Sequence, residues 1–259
     1  MDKDTILLLD QINQTFYQAT AKSFDQSRQC AWSGWNQVLP IVHSLGLESV
    51  SVLDVGCGNG RFGEFLLQHH VALNYTGIDS NSELLRLAQL KLAQPKLAQQ
   101  PLLSLSLRQL NLVKLLLDHQ VQEQVSTKFN LIVGFGILHH IPSFQLRVKL
   151  ITELGSLLQQ NQSCLILTAW QFGRDARFAN KTISPQSIGL DPEQLEPNDF
   201  LLDWQGDRQL ARYCHYLDEL EVKQVAQEIK SLQLSQEFLA DGKTHDLNRY
   251  LVWTKKTKR

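Results

Sequence analysis

Apolar positions along this chain switch repeatedly between two periods. Ile6, Leu9 and Ile12 recur at helical spacing behind Asp4 and Thr5, two residues able to cap a helix. Trp35 to Leu45 predicts a second helix, with Leu39, Val42 and Leu45 inward and Gly46 as its C-cap. Ser49 to Val55 is a short apolar run that reads as a buried strand, and Phe62 to Gln68 returns to amphipathic spacing. The alternation then repeats. Tyr75 leads a second strand that ends in Asp79, and a helix opens at Ser82 with Leu84, Leu87 and Ala88 on one face. Leu103 to Leu110 predicts a third strand and Phe129 to Gly134 a fourth. A helix over Gln145 to Gln159, with Leu146, Leu150, Ile151 and Leu154 on its apolar face, leads to a fifth strand at Ser163 to Ala169. Strands that alternate with helices predict an α/β, doubly wound, mostly parallel sheet.

Three stretches depart from that rhythm. Lys91 to Pro101 is a small duplication broken by two prolines, read as a surface elaboration. Residues 171–209 have no clear period and contain Pro185, Pro192 and Pro197; a long loop at this point predicts a lid. Asp218 can cap a helix with Glu221 in the capping-box position and Val222, Val225, Ala226 and Ile229 as its buried stripe. Strands at Gln233 to Phe238 and Leu247 to Trp253, joined at Asp241-Gly242, close the chain. We expect one domain over residues 1–259, with residues 1–48 as an N-terminal helical cap.

Charge changes the picture little. With 25 basic and 26 acidic side chains, the chain lacks the overall basicity of a nucleic-acid binder, although Arg174, Arg177 and Lys181 form one local basic group and Lys243, Arg249, Lys255, Lys256, Lys258 and Arg259 another. No apolar run approaches a membrane span, and acids stand where a signal peptide would have bases, so a cytoplasmic protein is expected. Cys30, Cys57, Cys164 and Cys214 are scattered, which argues for free thiols and for no metal site.

The chemistry concentrates at three strand ends. Asp54-Val55-Gly56-Cys57-Gly58-Asn59-Gly60 follows the first strand. Glycines there permit positive φ and a close backbone approach to a ligand. Asp79 ends the second strand, a little over 20 residues past Gly56; an acid about 20 residues beyond a Rossmann glycine loop bonds ribose hydroxyls. Phe135-Gly136-Ile137-Leu138-His139-His140 follows the fourth strand. These three segments, in this order, resemble the class I S-adenosylmethionine-dependent methyltransferases. That resemblance implies a Rossmann-like sheet of seven strands with the last antiparallel, and S-adenosylmethionine as cofactor with S-adenosylhomocysteine as product. It assigns Arg28, Asp54, Gly56, Cys57, Gly58, Asn59, Gly60, Asp79, Ser80, Asn111, Leu112 and Phe135 to the cofactor. Members often have an acid where Asn111 stands, to accept from the adenine amino group; Asn111 can accept through its amide oxygen.

The flanks resemble, within that class, the tRNA methyltransferases that esterify 5-carboxymethyluridine at the wobble position. The likeness lies in Phe16-Tyr17, Phe24, Ser27-Arg28 and Trp32, in Leu138-His139-His140-Ile141 with Arg147, in Ala169-Trp170, and in Arg212-Tyr213-Cys214-His215. It departs from that family in lacking one arginine and a proline after Trp32. The resemblance implies a tRNA acceptor, held by Tyr17, Arg147, Trp170, Arg212, Tyr213 and His215, and leaves room for a small activating partner protein. His139 and His140 are the catalytic candidates, either as walls of the methyl pocket or as proton acceptors. The second role belongs to the alternative reading, a methyltransferase acting on the oxygen or nitrogen of a small molecule or lipid. A cofactor-binding scaffold without transfer activity is the third.

Overall fold

A computed structural model describes residues 1–94, 102–175, 178, 180–204 and 207–256. Part of the duplication after Lys91 lies outside the described residues, as do Arg177, Lys258 and Arg259.

Helix α1 spans Lys3–Ser27 and starts at Asp2, whose side chain accepts from the Thr5 amide at 2.8 Å. Asp2, rather than Asp4 or Thr5, is therefore the cap. Helix α2 (Trp35–Ser44) follows and buries Trp35, Val38 and Val42. Strands β1 (Val50–Val55), β2 (Leu73–Asp79) and β3 (Leu102–Gln109) alternate with α3 (Arg61–Gln68) and α4 (Ser82–Leu92). Two short helices, α5 (Leu112–Leu117) and α6 (Val121–Gln124), precede β4 (Leu131–Gly134), and α7 (Phe144–Ser156) leads to β5 (Cys164–Trp170). Strands β6 (Thr182–Ile183), β7 (Asp199–Trp204) and β8 (Asp207–His215) come next, then α8 (Glu219–Glu228), β9 (Leu232–Ala240) and β10 (Asn248–Lys255).

Seven strands form one sheet in the order β3-β2-β1-β4-β5-β10-β9. The first five are mutually parallel, and β10 runs antiparallel between β5 and β9. This is the expected doubly wound sheet. Alternation along β1 decides which helices cover which face. Leu53 and Val55 join a core with α5, α7 and α8, while Val50 and Val52 pack with α2 and α3 on the other side. Each such side chain, fully buried, is worth about 2 kcal/mol.

Residues 171–209 are not a structureless loop. Strands β6 and β7 lie there and pair with β8 in a separate antiparallel sheet, which shares a small core with Leu9 of α1. Glu196 ties the segment to the main body by accepting from the Phe144 amide at the start of α7. Asp218 caps α8 through the Glu221 amide at 2.8 Å, but the Glu221 carboxylate turns to Arg147 and His215 and does not complete a capping box.

Three asparagines at the C-terminal ends of β1, β2 and β3 hold α1 across the sheet. Asn59 donates to Asp25 Oδ1 at 2.7 Å, Asn81 to the Tyr17 carbonyl at 2.9 Å, and Asn111 to Asp10 Oδ2 at 2.7 Å. Their partners recur every seven or eight residues, two turns of α1, so one face of the helix meets all three strand ends.

Candidate active site

The cleft between α1 and these strand ends encloses about 830 Å³. Its floor is the glycine loop. Gly56, Gly58 and Gly60 have φ of +70°, +53° and +74°, a region that strains any other residue. The Gly56 and Cys57 amides both donate to the Ile78 carbonyl, at 2.8 and 3.1 Å, which pins the loop to the end of β2. A Cβ on Gly58 would meet only Phe24, at 3.9 Å, so the loop's open side faces the cleft.

Asp79 stands at the loop's rim. Its Oδ2 accepts from the Gly58 amide at 2.9 Å and its Oδ1 from the Asn81 amide at 2.8 Å. Burial raises its pKa against the pull of these backbone donors. Asp54, beneath the loop, is held by the Tyr75 hydroxyl at 2.6 Å. Its pKa is pushed up to about 7, first by burial and then by the charge of Asp79, with the Tyr75 bond opposing. The Cys57 thiol is raised well above its ordinary value by burial and by Asp79 and Asp54, so it is an inert filler beside Gly77. All four cysteines are free.

These residues fit a nucleoside with a charged tail: a glycine loop open toward the cleft, an acid at its rim, and an apolar slot beyond. Residues 53–161 match the family model for a methyltransferase domain. The chain carries a methyltransferase domain over these residues. No curated protein matches the chain. Among solved structures, its fold is similar to the CcbJ methyltransferase from Streptomyces caelestis (TM-score 0.62, 15% identity, 94% of this chain and 98% of that one). An S-adenosylmethionine-dependent methyltransferase from Clostridium acetobutylicum aligns at a TM-score of 0.60 and 12% identity, over 94% of this chain and 99% of that one. Magnesium protoporphyrin IX methyltransferase from Synechocystis, solved with bound S-adenosylmethionine, gives 0.56 and 16%, over 99% and 98%.

The protein brings together most residues that the sequence singled out. Arg28, Ser80, Leu112 and Phe135 line the cleft with the glycine loop and Asp79. Asn111 lines it too, but its Oδ1 caps α5 by accepting from the Lys114 amide at 3.0 Å, while its Nδ2 is spent on Asp10. His139 and His140 sit in a single 3-10 turn after β4, both buried and both on the cleft wall. Tyr17 Oη lies 2.8 Å from His140 Nε2, and His140 Nδ1 lies 2.8 Å from the Tyr213 carbonyl. Burial, with the Arg212 charge, lowers the His140 pKa to about 3; burial, the His140 ring and Arg212 hold His139 well below its usual value.

Trp170, whose ring centre is 5.2 Å from that of His139, and Arg212 continue the wall. The Arg212 guanidinium carbon is 4.8 Å from the centre of the Trp170 ring, 5.4 Å from Trp204 and 5.5 Å from Phe16. Only 7% of Arg212 is exposed, and its Nε has no hydrogen-bond partner among the described residues.

Arg147, Tyr213 and His215 are not brought to the cleft. Arg147 is buried and pairs with Glu196 at 2.8 Å and Glu221 at 2.7 Å. His215 bridges Asp199 at 2.7 Å and Glu221 at 2.5 Å, and the Tyr213 hydroxyl donates to Asp199 at 2.7 Å. The three lie in one buried charge network that joins α7, β7, β8 and α8.

The cleft also includes Asp10, Asn13 and Trp204, which sequence reasoning passed over. A signal for two of them existed. Asp10 and Asn13 fall on the apolar stripe of α1, in register with Ile6, Leu9 and Phe16, where a polar residue needs a reason to be buried.

Proposed function

We propose that the protein is an S-adenosylmethionine-dependent methyltransferase acting on a small, flat acceptor that bears an anionic group and a hydroxyl or amine as nucleophile. The observation that carries this reading is Arg212, a buried guanidinium boxed by three aromatic rings on the cleft wall. A cation desolvated to that degree is costly unless a ligand's negative charge meets it. Guanidinium also grips carboxylates in a planar, bidentate manner, and Trp170 and Trp204 offer faces for a flat body.

On the cofactor side, the glycine loop and Arg28 would hold the amino-acid tail, and Asp79 would accept from the ribose hydroxyls. Asp54 supports the loop from below. When bound, S-adenosylmethionine supplies an electrophilic methyl on a sulfonium. The enzyme aligns the acceptor's oxygen or nitrogen with that methyl and excludes water. Tyr17 donates to His140 Nε2, so its oxygen keeps lone pairs free to take the acceptor's proton. On methyl transfer the acceptor's proton would leave through the Tyr17–His140 pair and on to solvent, His140 serving as a relay and not as its resting place. His139 walls the methyl pocket.

A tRNA acceptor is the second reading. The same aromatic and guanidinium planes suit an unstacked base, although a net charge of −1 gives little pull on a polyanion. None of the described helices is long and apolar enough to cross a membrane. To test the first reading, protein saturated with S-adenosylhomocysteine is titrated with 4-hydroxybenzoate and with phenol in a calorimeter. The acid is expected to bind more tightly than phenol, and Arg212→Met is expected to erase that preference. Equal affinities, with steeply salt-dependent binding of bulk tRNA, would favour the second reading.

A further inference from the structure

With ribose at Asp79, the cofactor's base must continue along the cleft away from the glycine loop. The walls there are Ile78, Leu84, Leu112 and Val113, apolar side chains that fit the two faces of a purine. An adenine edge still needs an acceptor for its six-amino group. Asn111 is the expected donor of that acceptor, but its amide is engaged at both ends, to Lys114 and to Asp10.

Asp10 itself is differently placed. It is 8% exposed and lies on the cleft wall beside Asn111. Two donors converge on a single oxygen: Gln14 Nε2 and Asn111 Nδ2 both reach Oδ2 at 2.7 Å. Among the described residues, no group donates to Oδ1, and Oδ1 is not among the sealed, partnerless polar atoms of the fold. The carboxylate is thus fixed by one oxygen and presents the other to the cleft.

We propose that Asp10 Oδ1 accepts from the six-amino group of the cofactor's adenine, so that the N-terminal helix sets the enzyme's selectivity for the base. This rests on reading the cleft as the S-adenosylmethionine site. The acid here comes from α1 and is held against the end of β3 by its bond from Asn111. A six-oxo purine reverses the edge: it turns an oxygen toward the carboxylate and loses the donor. A site that must hydrogen-bond a donor rejects such an analogue strongly, because its own acceptor is left unpaired.

The test compares S-adenosylhomocysteine with S-inosylhomocysteine by calorimetry, in the wild type, in Asp10→Asn and in Asn111→Ala. The wild type should prefer the adenosyl form by about 10- to 100-fold. Asp10→Asn keeps the shape and can turn its amide to donate to a six-oxo group, so the ratio should collapse toward unity or invert. Asn111→Ala should lower both affinities together and keep most of the preference. A ratio in Asp10→Asn equal to that of the wild type, with S-adenosylhomocysteine still bound, overturns the proposal and leaves Asp10 as a brace for α1. If wild-type protein binds neither nucleoside, the cofactor site itself is misread and the proposal falls with it.

Discussion

The Tyr17 hydroxyl lies 2.8 Å from Nε2 of His140, joining the N-terminal helix to the turn that follows β4. The other nitrogen decides the direction of that bond. His140 Nδ1 faces the Tyr213 carbonyl at 2.8 Å, which can only accept, so the proton sits on Nδ1 and Tyr17 is the donor. Burial and the charge of Arg212 hold His140 down to about 3, and burial raises Tyr17 to about 12. Both groups are therefore neutral at ordinary pH. Tyr17→Phe is expected to slow methyl transfer to a hydroxyl or amine by ~10²-fold while leaving S-adenosylhomocysteine affinity unchanged. Because His140 is already neutral, the wild-type rate should show no inflection near the ordinary histidine pKa. An inflection there that disappears in His140→Gln would contradict the assigned tautomer and environment.

Asp79→Ala should weaken S-adenosylhomocysteine by about 1–3 kcal/mol, the cost of losing charge-assisted bonds to the ribose. Calorimetry reads it directly. Unchanged affinity would remove Asp79 from the site.

Asp54 provides a pH signature. Its folded pKa of about 7 is raised above the unfolded value, so the folded state holds the extra proton. The stability this contributes is complete below the ordinary carboxylate pKa and is lost as pH rises through about 7. Denaturant titrations of the apo protein should show wild type losing ground to Asp54→Asn across that window and no further loss above it. A constant difference at all pH values would mean that burial does not perturb this carboxyl.

His215 behaves the same way for a different reason. Burial lowers its pKa, but Asp199 and Glu221 outweigh it and the net shift is upward. Its charged pairing stabilises the fold fully below the unfolded histidine pKa and fades as pH rises through the folded value. His215→Gln should therefore cost most in acid and least in mild alkali. Arg147→Met, by contrast, leaves Glu196 and Glu221 facing each other and should cost about 3 kcal/mol near neutral pH. Loss of the cofactor site in either variant without loss of stability would contradict a purely structural network.

What could be read before the structure was known divides along the length scale of the signal. Gly56, Gly58, Gly60 and Asp79 carry their geometry in local spacing, because a positive φ and a strand-end acid are set within a few residues. The doubly wound class followed from alternating periods, while the arrangement of seven strands with the last antiparallel came from the family resemblance. Residues 171–209 concealed β6, a two-residue strand with no period to detect, and β7, whose Phe200-Leu201-Leu202 run breaks the alternation of a strand. Leu112 to Leu117 is nearly all apolar and showed no helical face, so α5 went unread. Arg147, Tyr213 and His215 have motif-like neighbours, yet their partners Glu196, Asp199 and Glu221 come from other elements, and that pairing takes them out of the cleft. Arg212 was legible as a residue type, but its aromatic box needed α1 and β7 to meet.

The most direct test of the acceptor class follows the methyl group. Protein is incubated with methyl-labelled S-adenosylmethionine and, separately, a mixture of small hydroxy- and amino-aromatic acids and bulk tRNA. The expected result is label in the small-acid fraction, abolished by Arg212→Met and indifferent to moderate salt. Label in the tRNA instead, falling steeply as salt rises, would contradict the small-acid reading.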